Sequence, residues 1–570
     1  MAVAVPQPAA LVRQAVATAL RRAFPTHGAA PAIRFEPERG AYCASNALAL
    51  ARGAGLAAPE AAELLCAALP ETGGALLPAA RGARPGFVEL RLSPAYVGAG
   101  VRAVAALALA PEPRLVAAAG APTRVLVDFS SPNVAKELHV GHLRSTIIGD
   151  SIARVLEARG HDVLRRNHVG DWGTQFGMLV AHVAERFPDA ASDPPPLEAL
   201  TTLYQEARAR FDGDPAFKAE SQRRVTLLQS GDEPSLALWR ALCALSRREF
   251  EALYARLGVR IEEVGESSFN HLLPAMCDEL ATAGHASVGE GGALLLHVDG
   301  IKVPLMVRKS DGGFGYDSTD LAAVRDRTQR EGARRVIYVT DVGQKQHFDL
   351  LFGAARAAGY VDDAVQLDHV GFGLVLGSGG KRMQTRSGDV PRLEELIDEA
   401  AQRALLELQE RDQASAGTEQ QRLLAEAVGV ACVKYADLRM KRSSDYTFSF
   451  DKMLDARGDT GVYQLYAYAR LCRLLDKASA GRAQSLESLL ADPAELSFTE
   501  PSEIALATHL LQFSEAVEHV EANLSPHTLA GFCSRLATLS SSFYENCRVV
   551  GGENDAFLCE PLRSLGFSPH

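Results

Sequence analysis

Four residues pose the chemical question: His139, Val140, Gly141 and His142. Two imidazoles three residues apart at a helix start can point the same way and donate hydrogen bonds to phosphate oxygens. The helix start adds free backbone N–H groups and a positive dipole end, both suited to an anion. Gly141 would let a flat base or a phosphate approach the backbone closely. Other readings of these residues stay open. Two histidines near a helix start are commonplace, and zinc would need a third ligand at useful spacing, which the chain does not offer. A second group is basic: Lys381, Arg382 and Arg386 follow the turn Gly377-Ser378-Gly379-Gly380. Three cations over a triphosphate would neutralise charge building on a leaving pyrophosphate, although alone the segment also reads as a solvated hairpin. A third group is Tyr316 and Asp320, four apart and so on one face of a helix start. Without further context they are equally a core aromatic and a capping acid.

These groups need elements to hold them. Arg124 to Ser130 (RVLVDFS) reads as a buried strand, and 131–141 as a loop with Pro132 and Gly141. Leu143, Ile147, Ile148, Ile152, Val155 and Leu156 then keep helical spacing until Gly160, and Val163 to Val169 reads as the next strand. Strand, helix, strand at this length is a βαβ unit, hence a parallel sheet whose carboxyl edge faces a ligand crevice. Residues from 183 to about 290 read as a charged helical insertion, strands return at Ala293, and after Pro391 the pattern is helical. Leu423–Leu438, Val462–Leu475, Ile504–Val520 and Leu529–Tyr544 each carry an apolar stripe. Upstream, helices are expected over Ser45–Ala54 and Pro59–Leu69 and a strand over Phe87–Leu92, before a Pro- and Ala-rich linker at Pro111. The first 25 residues lack acids and contain Arg13, Arg21 and Arg22, faintly like a transit peptide, but Leu11, Val16, Leu20 and Phe24 place them in a first helix.

Bulk properties narrow the class. A chain of 570 residues needs several cores. With 47% hydrophobic and 23% charged residues it is globular in composition, and no apolar run reaches the ~18 residues of a membrane helix. Nine scattered cysteines, none in a Cys-x-x-Cys pair, suggest neither disulfides nor a metal site. A net charge of −11 excludes a coat of basic surface, though not a local basic groove.

Context then decides among the readings. VDFSSPNVAKELHVGHLRSTIIGDSIAR (127–154) and RNHVGDWGTQFGML (166–179) resemble the class I aminoacyl-tRNA synthetases, and among them the arginyl enzymes. The resemblance implies an α/β fold: a Rossmann-type parallel-sheet catalytic domain (120–400, insertion about 183–290), an N-terminal α+β domain (1–112) and an all-α anticodon-binding domain (401–570, its core about 460–570). It implies ATP and Mg2+, L-arginine and tRNA-Arg, no resident metal and no membrane, a monomer, and a cytoplasmic or organellar setting. His139, Gly141, His142, Lys381, Arg382 and Arg386 would hold ATP. Thr385 stands where the general class pattern has its second lysine, and Lys136, three residues before His139, would supply the missing charge. Asp128, Tyr316 and Asp320 would take the guanidinium, with Ser131 and His142 also in the arginine pocket; Asn133 and Gln344 would take the α-amino end.

The same resemblance assigns GAYCASNALALA (40–51) and RPGFVEL (84–90) to a domain that meets the tRNA elbow, although Glu89 replaces a usual asparagine. VKYADLRMKRSSDYTFSFDKML and YQLYAYARLCRLL match the anticodon domain, with Tyr463, Tyr466, Arg470 and Arg473 as tRNA contacts; some of its tyrosines are core. After FLCE such enzymes continue into a final helix, whereas this chain reads PLRSLGFSPH, so the stripe Leu529, Phe532, Leu536 is expected to lie uncovered. Arginyl enzymes activate their amino acid only with tRNA bound, and the same is expected here. Two competing readings are an inactive tRNA-binding paralogue, which predicts decayed ATP motifs, and a nucleotidyl transferase without tRNA, which leaves the helical C-terminus unexplained.

Overall fold

A computed structural model describes residues 5–79, 86–108, 120–134, 136–377, 391–411, 418–480 and 498–547, with single residues 110, 116, 118, 380 and 496. The chain divides into two compact units. One comprises Ala119–Asp455 with Leu524–His527; the other gathers Met1–Ala118, Ala456–Asn523 and Thr528–His570.

The second of these units begins with α1 (Pro8–Ala23), which buries Val12, Val16, Ala19 and Leu20 on one face. Strands β1 (Ile33–Glu36), β2 (Ala41–Ala44), β3 (Leu76–Ala79) and β4 (Val88–Leu92) form an antiparallel sheet in the order β1-β2-β4-β3. Helices α2 (Asn46–Ala54) and α3 (Ala58–Ala67) pack with it around Tyr42, Leu65 and Leu90. Helix α4 (Pro94–Ala108) follows.

The other unit is built on the expected parallel sheet. Strand β5 (Arg124–Asp128) leads to α5 (Val140–Ala158) and β6 (Asp162–Asn167). Gly160, at φ +88°, makes the turn between helix and strand. Helices α6 (Thr174–Arg186), α7 (Leu197–Gly213), α8 (Pro215–Ser230) and α9 (Glu233–Arg256) form the insertion before the short β7 (Glu262–Glu263) and α10 (Leu273–Thr282). A three-stranded antiparallel sheet, β8 (Ala286–Val288), β9 (Leu294–Leu296) and β10 (Leu305–Arg308), precedes α11 (Tyr316–Arg325). Then come β11 (Arg335–Asp341), α12 (Lys345–Ala357), β12 (Gln366–Phe372) and β13 (Val375–Leu376). The main sheet runs β12-β11-β5-β6-β7, every pairing parallel. It is apolar on both faces, as helices on each side require: Leu126, Val336 and Ile337 are fully buried.

Residues 401–455 also belong to this sheet unit. Helices α13 (Leu393–Arg411) and α14 (Glu419–Leu438) pack closely, because a side chain at Gly429 would lie 2.7 Å from the Ala401 amide. Asp437 of α14 reaches Arg144 of α5 in an ion pair of 2.9 Å with both side chains buried. Strand β14 (Tyr446–Thr447) pairs with β13, and the short α15 (Phe450–Met453) closes the segment. A boundary at 401 therefore cuts through a packed helix pair; the chain enters the other unit near Ala456.

That unit is completed by α16 (Gly461–Ala480), α17 (Pro501–Leu510), α18 (Phe513–Asn523) and α19 (His527–Asn546). The stripe over 504–520 is thus two helices. The stripe on α19 is covered: Phe532 and Leu536 pack with Val97, Val101 and Val104 of α4 and with Leu506 and Leu510 of α17. The expectation of an uncovered face fails because α4, a helix far upstream in the chain, supplies the apolar cover. Residues 548–570 lie outside the described residues.

Candidate active site

A cavity of about 730 Å³ opens at the carboxyl ends of β5, β11 and β12. Nine residues singled out in the sequence line it: Asp128, Ser131, Asn133, His139, Gly141, His142, Tyr316, Asp320 and Gln344. Parallel strands place such a crevice at their carboxyl edge.

The start of α5 is shaped by its two histidines. The Gly141 amide donates to His139 Nδ1 (3.1 Å) and the His139 amide to His142 Nδ1 (3.0 Å), a reciprocal cap. The ring centroids lie 3.9 Å apart, with the planes inclined by 34°. Because each Nδ1 accepts a backbone hydrogen bond, a neutral ring must carry its proton on Nε2. Burial, with the charges of His139 and Lys136 beside it, pushes the His142 pKa down to about 3, so this ring is neutral at physiological pH. Gly141 has a more specific task than backbone access: a Cβ there would sit 2.9 Å from His139 Cε1. Only glycine leaves room for the capping ring.

The β5–α5 loop is held under strain. Ser130 and Ser131 have φ of +71° and +47°, a region costing non-glycine residues of order 1–3 kcal/mol each. Side chains over-determine it. Ser145 Oγ accepts from the Ser130 amide and Asn167 Oδ1 from the Ser131 amide, while Ser130 Oγ shares a 2.7 Å hydrogen bond with Tyr254. Gly170 makes space for Asn133, whose Oδ1 would lie 2.0 Å from a Cβ at that position.

The same cleft carries acids. Tyr316 and Asp320 do share the cleft-facing side of α11, with Tyr316 at the rim, 66% exposed. Asp320 Oδ2 lies 2.7 Å from His347 Nε2, and Oδ1 3.4 Å from His168 Nε2. Burial opposes ionisation of Asp320, but the two imidazoles outweigh it and hold its carboxyl well below the usual range. Glu266 is also in the lining, and burial pushes its pKa up to about 7. Asp128 departs from the expectation of a free guanidinium ligand. Its Oδ2 pairs with the buried Arg327 at 2.7 Å and its Oδ1 accepts from Ser131 Oγ at 2.9 Å, so the chain itself fills most of that carboxylate. Arg327 is aimed inward by a π-helical turn, Asp326–Arg330, continuing α11.

Glu266, His168, His347 and Arg327 are the residues the sequence reading missed. His168 sits one residue past the end of β6, a position that could have marked it. Glu266 lies in a 3-10 turn beyond the insertion and carries no comparable signal. Lys136 is exposed outside the cavity lining, with Nζ 5.3 Å from the Tyr204 ring centre. Lys381, Arg382, Thr385 and Arg386 lie outside the described residues. In the helical unit Tyr466 is 59% exposed and Arg473 is exposed, whereas Tyr463 is half-buried and hydrogen-bonds Ser541 at 3.2 Å. Arg470 stacks 3.6 Å above the Tyr544 ring.

Comparison with known proteins bears on this geometry. Residues 105–450 match the family model of tRNA synthetases class I (R), catalytic domain, and residues 464–560 match the DALR anticodon binding domain. A curated relative named arginine–tRNA ligase, from Synechococcus sp., is 44% identical over 529 residues, 91% of this chain and 88% of the relative. One of the same name from Nostoc sp. is 45% identical over 497 residues, 85% of this chain and 82% of the relative. The crystal structure of arginyl-tRNA synthetase from Plasmodium falciparum superposes with a TM-score of 0.85 at 33% identity, covering 97% of this chain and 95% of that one. The Thermus thermophilus arginyl-tRNA synthetase, at 23% identity and a TM-score of 0.75 over 98% of this chain and 96% of that one, shares the fold.

Proposed function

The chain belongs to the class I arginyl-tRNA synthetases, and from the geometry of its cleft we propose how its residues divide that family's work. The activity is arginine–tRNA ligation: ATP-dependent attachment of L-arginine to tRNA-Arg through an arginyl-adenylate, with release of pyrophosphate and AMP. The arginine carboxylate attacks the α-phosphorus, the bond to the bridging oxygen breaks, and pyrophosphate leaves. A terminal ribose hydroxyl of the tRNA then takes the arginyl group from AMP.

His139 and His142 present Nε2–H donors to the phosphate oxygens, in a cap that requires no reorganisation as charge develops. Lys381, Arg382 and Arg386 neutralise the leaving pyrophosphate, and Lys136 adds the charge that Thr385 lacks. Mg2+ enters on the triphosphate; among the described residues no group of three His, Cys, Asp or Glu side chains could hold it separately.

Asp320 and Glu266 take the guanidinium, with the Tyr316 ring over it. A planar fork of donors matches carboxylates on its edges, and a bound cation would draw Glu266 into its ionised form. Asp128, engaged by Arg327, orients Ser131 and the strained loop. Asn133 and Gln344 hold the α-amino end. Tyr466 and Arg473, both exposed, meet the anticodon loop, and residues 1–112 meet the tRNA elsewhere. The protein acts as a cytoplasmic monomer. An inactive tRNA-binding paralogue has no observation in its favour, since the histidine cap is intact.

The observation that carries this division is that one cavity is lined both by the histidine cap at the start of α5 and by the carboxylates of Asp320 and Glu266. Asp320→Asn tests it. One charge-assisted hydrogen bond is worth about 1.5–3 kcal/mol, so kcat/KM for arginine should fall about tenfold or more with the KM for ATP nearly unchanged. A changed ATP KM with arginine use intact would reverse the assignment.

A further inference from the structure

The carboxylate assigned to the substrate is already engaged by the chain's own side chains. Imidazole nitrogens stand against both oxygens of Asp320, His347 at 2.7 Å and His168 at 3.4 Å. His347 is engaged on its other side as well: its Nδ1 lies 3.6 Å from Asp317 Oδ1. Its ring packs edge-on against Tyr316, with centroids 5.3 Å apart. One imidazole is thus suspended between two carboxylates, beside the rim residue through which a substrate side chain would have to pass.

An imidazole with an acid at each nitrogen is most stable as the imidazolium. The groups facing His347 are Tyr316, Asp317 and Asp320 of α11. On its own helix Lys345 is spent on Asp349, 2.7 Å away, and His168 and Glu266 act on Asp320 from beyond it. Although burial opposes it, Asp320 and Asp317 hold the His347 proton above the ordinary imidazole range.

We propose that His347 is a specificity-determining residue, a stand-in cation on Asp320 that the substrate's guanidinium must displace, with the imidazolium losing its proton to solvent as the guanidinium binds. The proposal rests on the assignment of Asp320 to the guanidinium. It explains how a cleft with so many acids discriminates. A neutral ureido isostere, citrulline, brings no charge to replace the imidazolium and so would break that ion pair without compensation. A lysine ammonium replaces one hydrogen bond as a point charge, whereas the planar guanidinium replaces a whole carboxylate edge.

The sign of the pH dependence follows. Paired with Asp320, His347 keeps its proton to a pH above the ordinary value of about 6.5; with arginine on Asp320 that partner is lost and the affinity for the proton falls. Between those two values binding expels a proton, so the KM for arginine falls as pH rises, by up to about tenfold per pH unit, and levels off above the window. Glu266 and His168 contribute in the same sense, because a bound cation drives off the Glu266 proton and takes from His168 the Asp320 partner that holds its proton up against burial, and variants must separate the three.

The experiment is titration calorimetry of L-arginine into the full chain with tRNA-Arg bound, near neutral pH, in buffers of different ionisation heat, alongside the pH profile of arginine KM in aminoacylation. Wild type and Glu266→Gln should release protons. His347→Gln, which keeps a donor without the titration, should lose most of that release, flatten the profile and use citrulline relatively better. His347→Lys, a permanent stand-in cation, should raise arginine KM at every pH without restoring the slope. Equal proton release and equal slopes in wild type and His347→Gln, or release that vanishes only in Glu266→Gln, would overturn the proposal. Asp320→Asn separates this from the site assignment. If it binds arginine as wild type does, the assignment itself is wrong; if it fails to bind while His347→Gln behaves as wild type, displacement alone is wrong.

Discussion

Replacing Gly141 with alanine isolates the role of the histidine cap. The added Cβ would lie 2.9 Å from His139 Cε1 and 3.1 Å from Nδ1, too close for the ring to remain where it caps α5. The ring must rotate, and the 3.1 Å hydrogen bond from the Gly141 amide is lost with it. Loss of such a cap costs about 0.5–2 kcal/mol of local stability, small for a unit of this size. The catalytic cost is larger, because His139 Nε2 no longer points where phosphate charge develops; loss of one preorganised donor typically costs about 10²–10³ in kcat. ATP–pyrophosphate exchange with tRNA-Arg present should therefore fall by about that factor, with arginine KM and the thermal transition little changed. The double variant sharpens the test. Once His139→Ala has removed the ring, Gly141→Ala has nothing left to displace, so the two changes together should be no worse than His139→Ala alone. Additive losses, or a Gly141→Ala enzyme within about threefold of wild type, would refute the view that Gly141 exists to seat His139.

Lys136→Ala should slow activation by ~10²-fold or more while leaving arginine binding intact, and Thr385→Lys should partly restore the rate if the charge is transferable; single-turnover adenylate formation measures both, and a near-silent Lys136→Ala would end the idea. Tyr466→Ala and Tyr463→Ala should part company. Stacking on an unpaired base is worth about 1–3 kcal/mol, so loss of the exposed Tyr466 ring should raise the KM for tRNA-Arg without lowering the Tm, whereas loss of Tyr463, hydrogen-bonded to Ser541, should lower the Tm of its unit; equal effects on tRNA KM would place both rings at the RNA.

The catalytic half of the fold was legible because its signals are local. The apolar run Val125–Val127, the helical spacing from Leu143 to Leu156 and Gly160 after it describe one βαβ unit, and a parallel sheet puts its carboxyl edge at the His-x-Gly-His turn. The site was less fully legible because its remaining parts depend on long-range contacts. Arg327 reaches Asp128 only through a π-helical turn, and His347 reaches Asp320 from the next helix; neither pairing has a periodicity to betray it. Strand β12 carries a weak signal for another reason. It lies at the sheet edge, its first residues Gln366–His369 are exposed or half-buried, and DAVQLDHV lacks the continuous apolar run of its neighbours. The α19 stripe illustrates the reverse error. Its pattern correctly marked a buried face, but which element covers it is a tertiary fact, and α4 was read only as part of a separate N-terminal domain.

The most direct test of the whole account is pyrophosphate release by the purified chain with ATP and L-arginine, in the presence and absence of tRNA-Arg. An enzyme with this cleft and both matched domains should release pyrophosphate and form arginyl-tRNA when all three substrates are present, and exchange should be near background when the tRNA is omitted. Absence of arginyl-tRNA would contradict the assigned activity, and robust exchange with arginine and ATP alone would contradict the dependence of activation on bound tRNA.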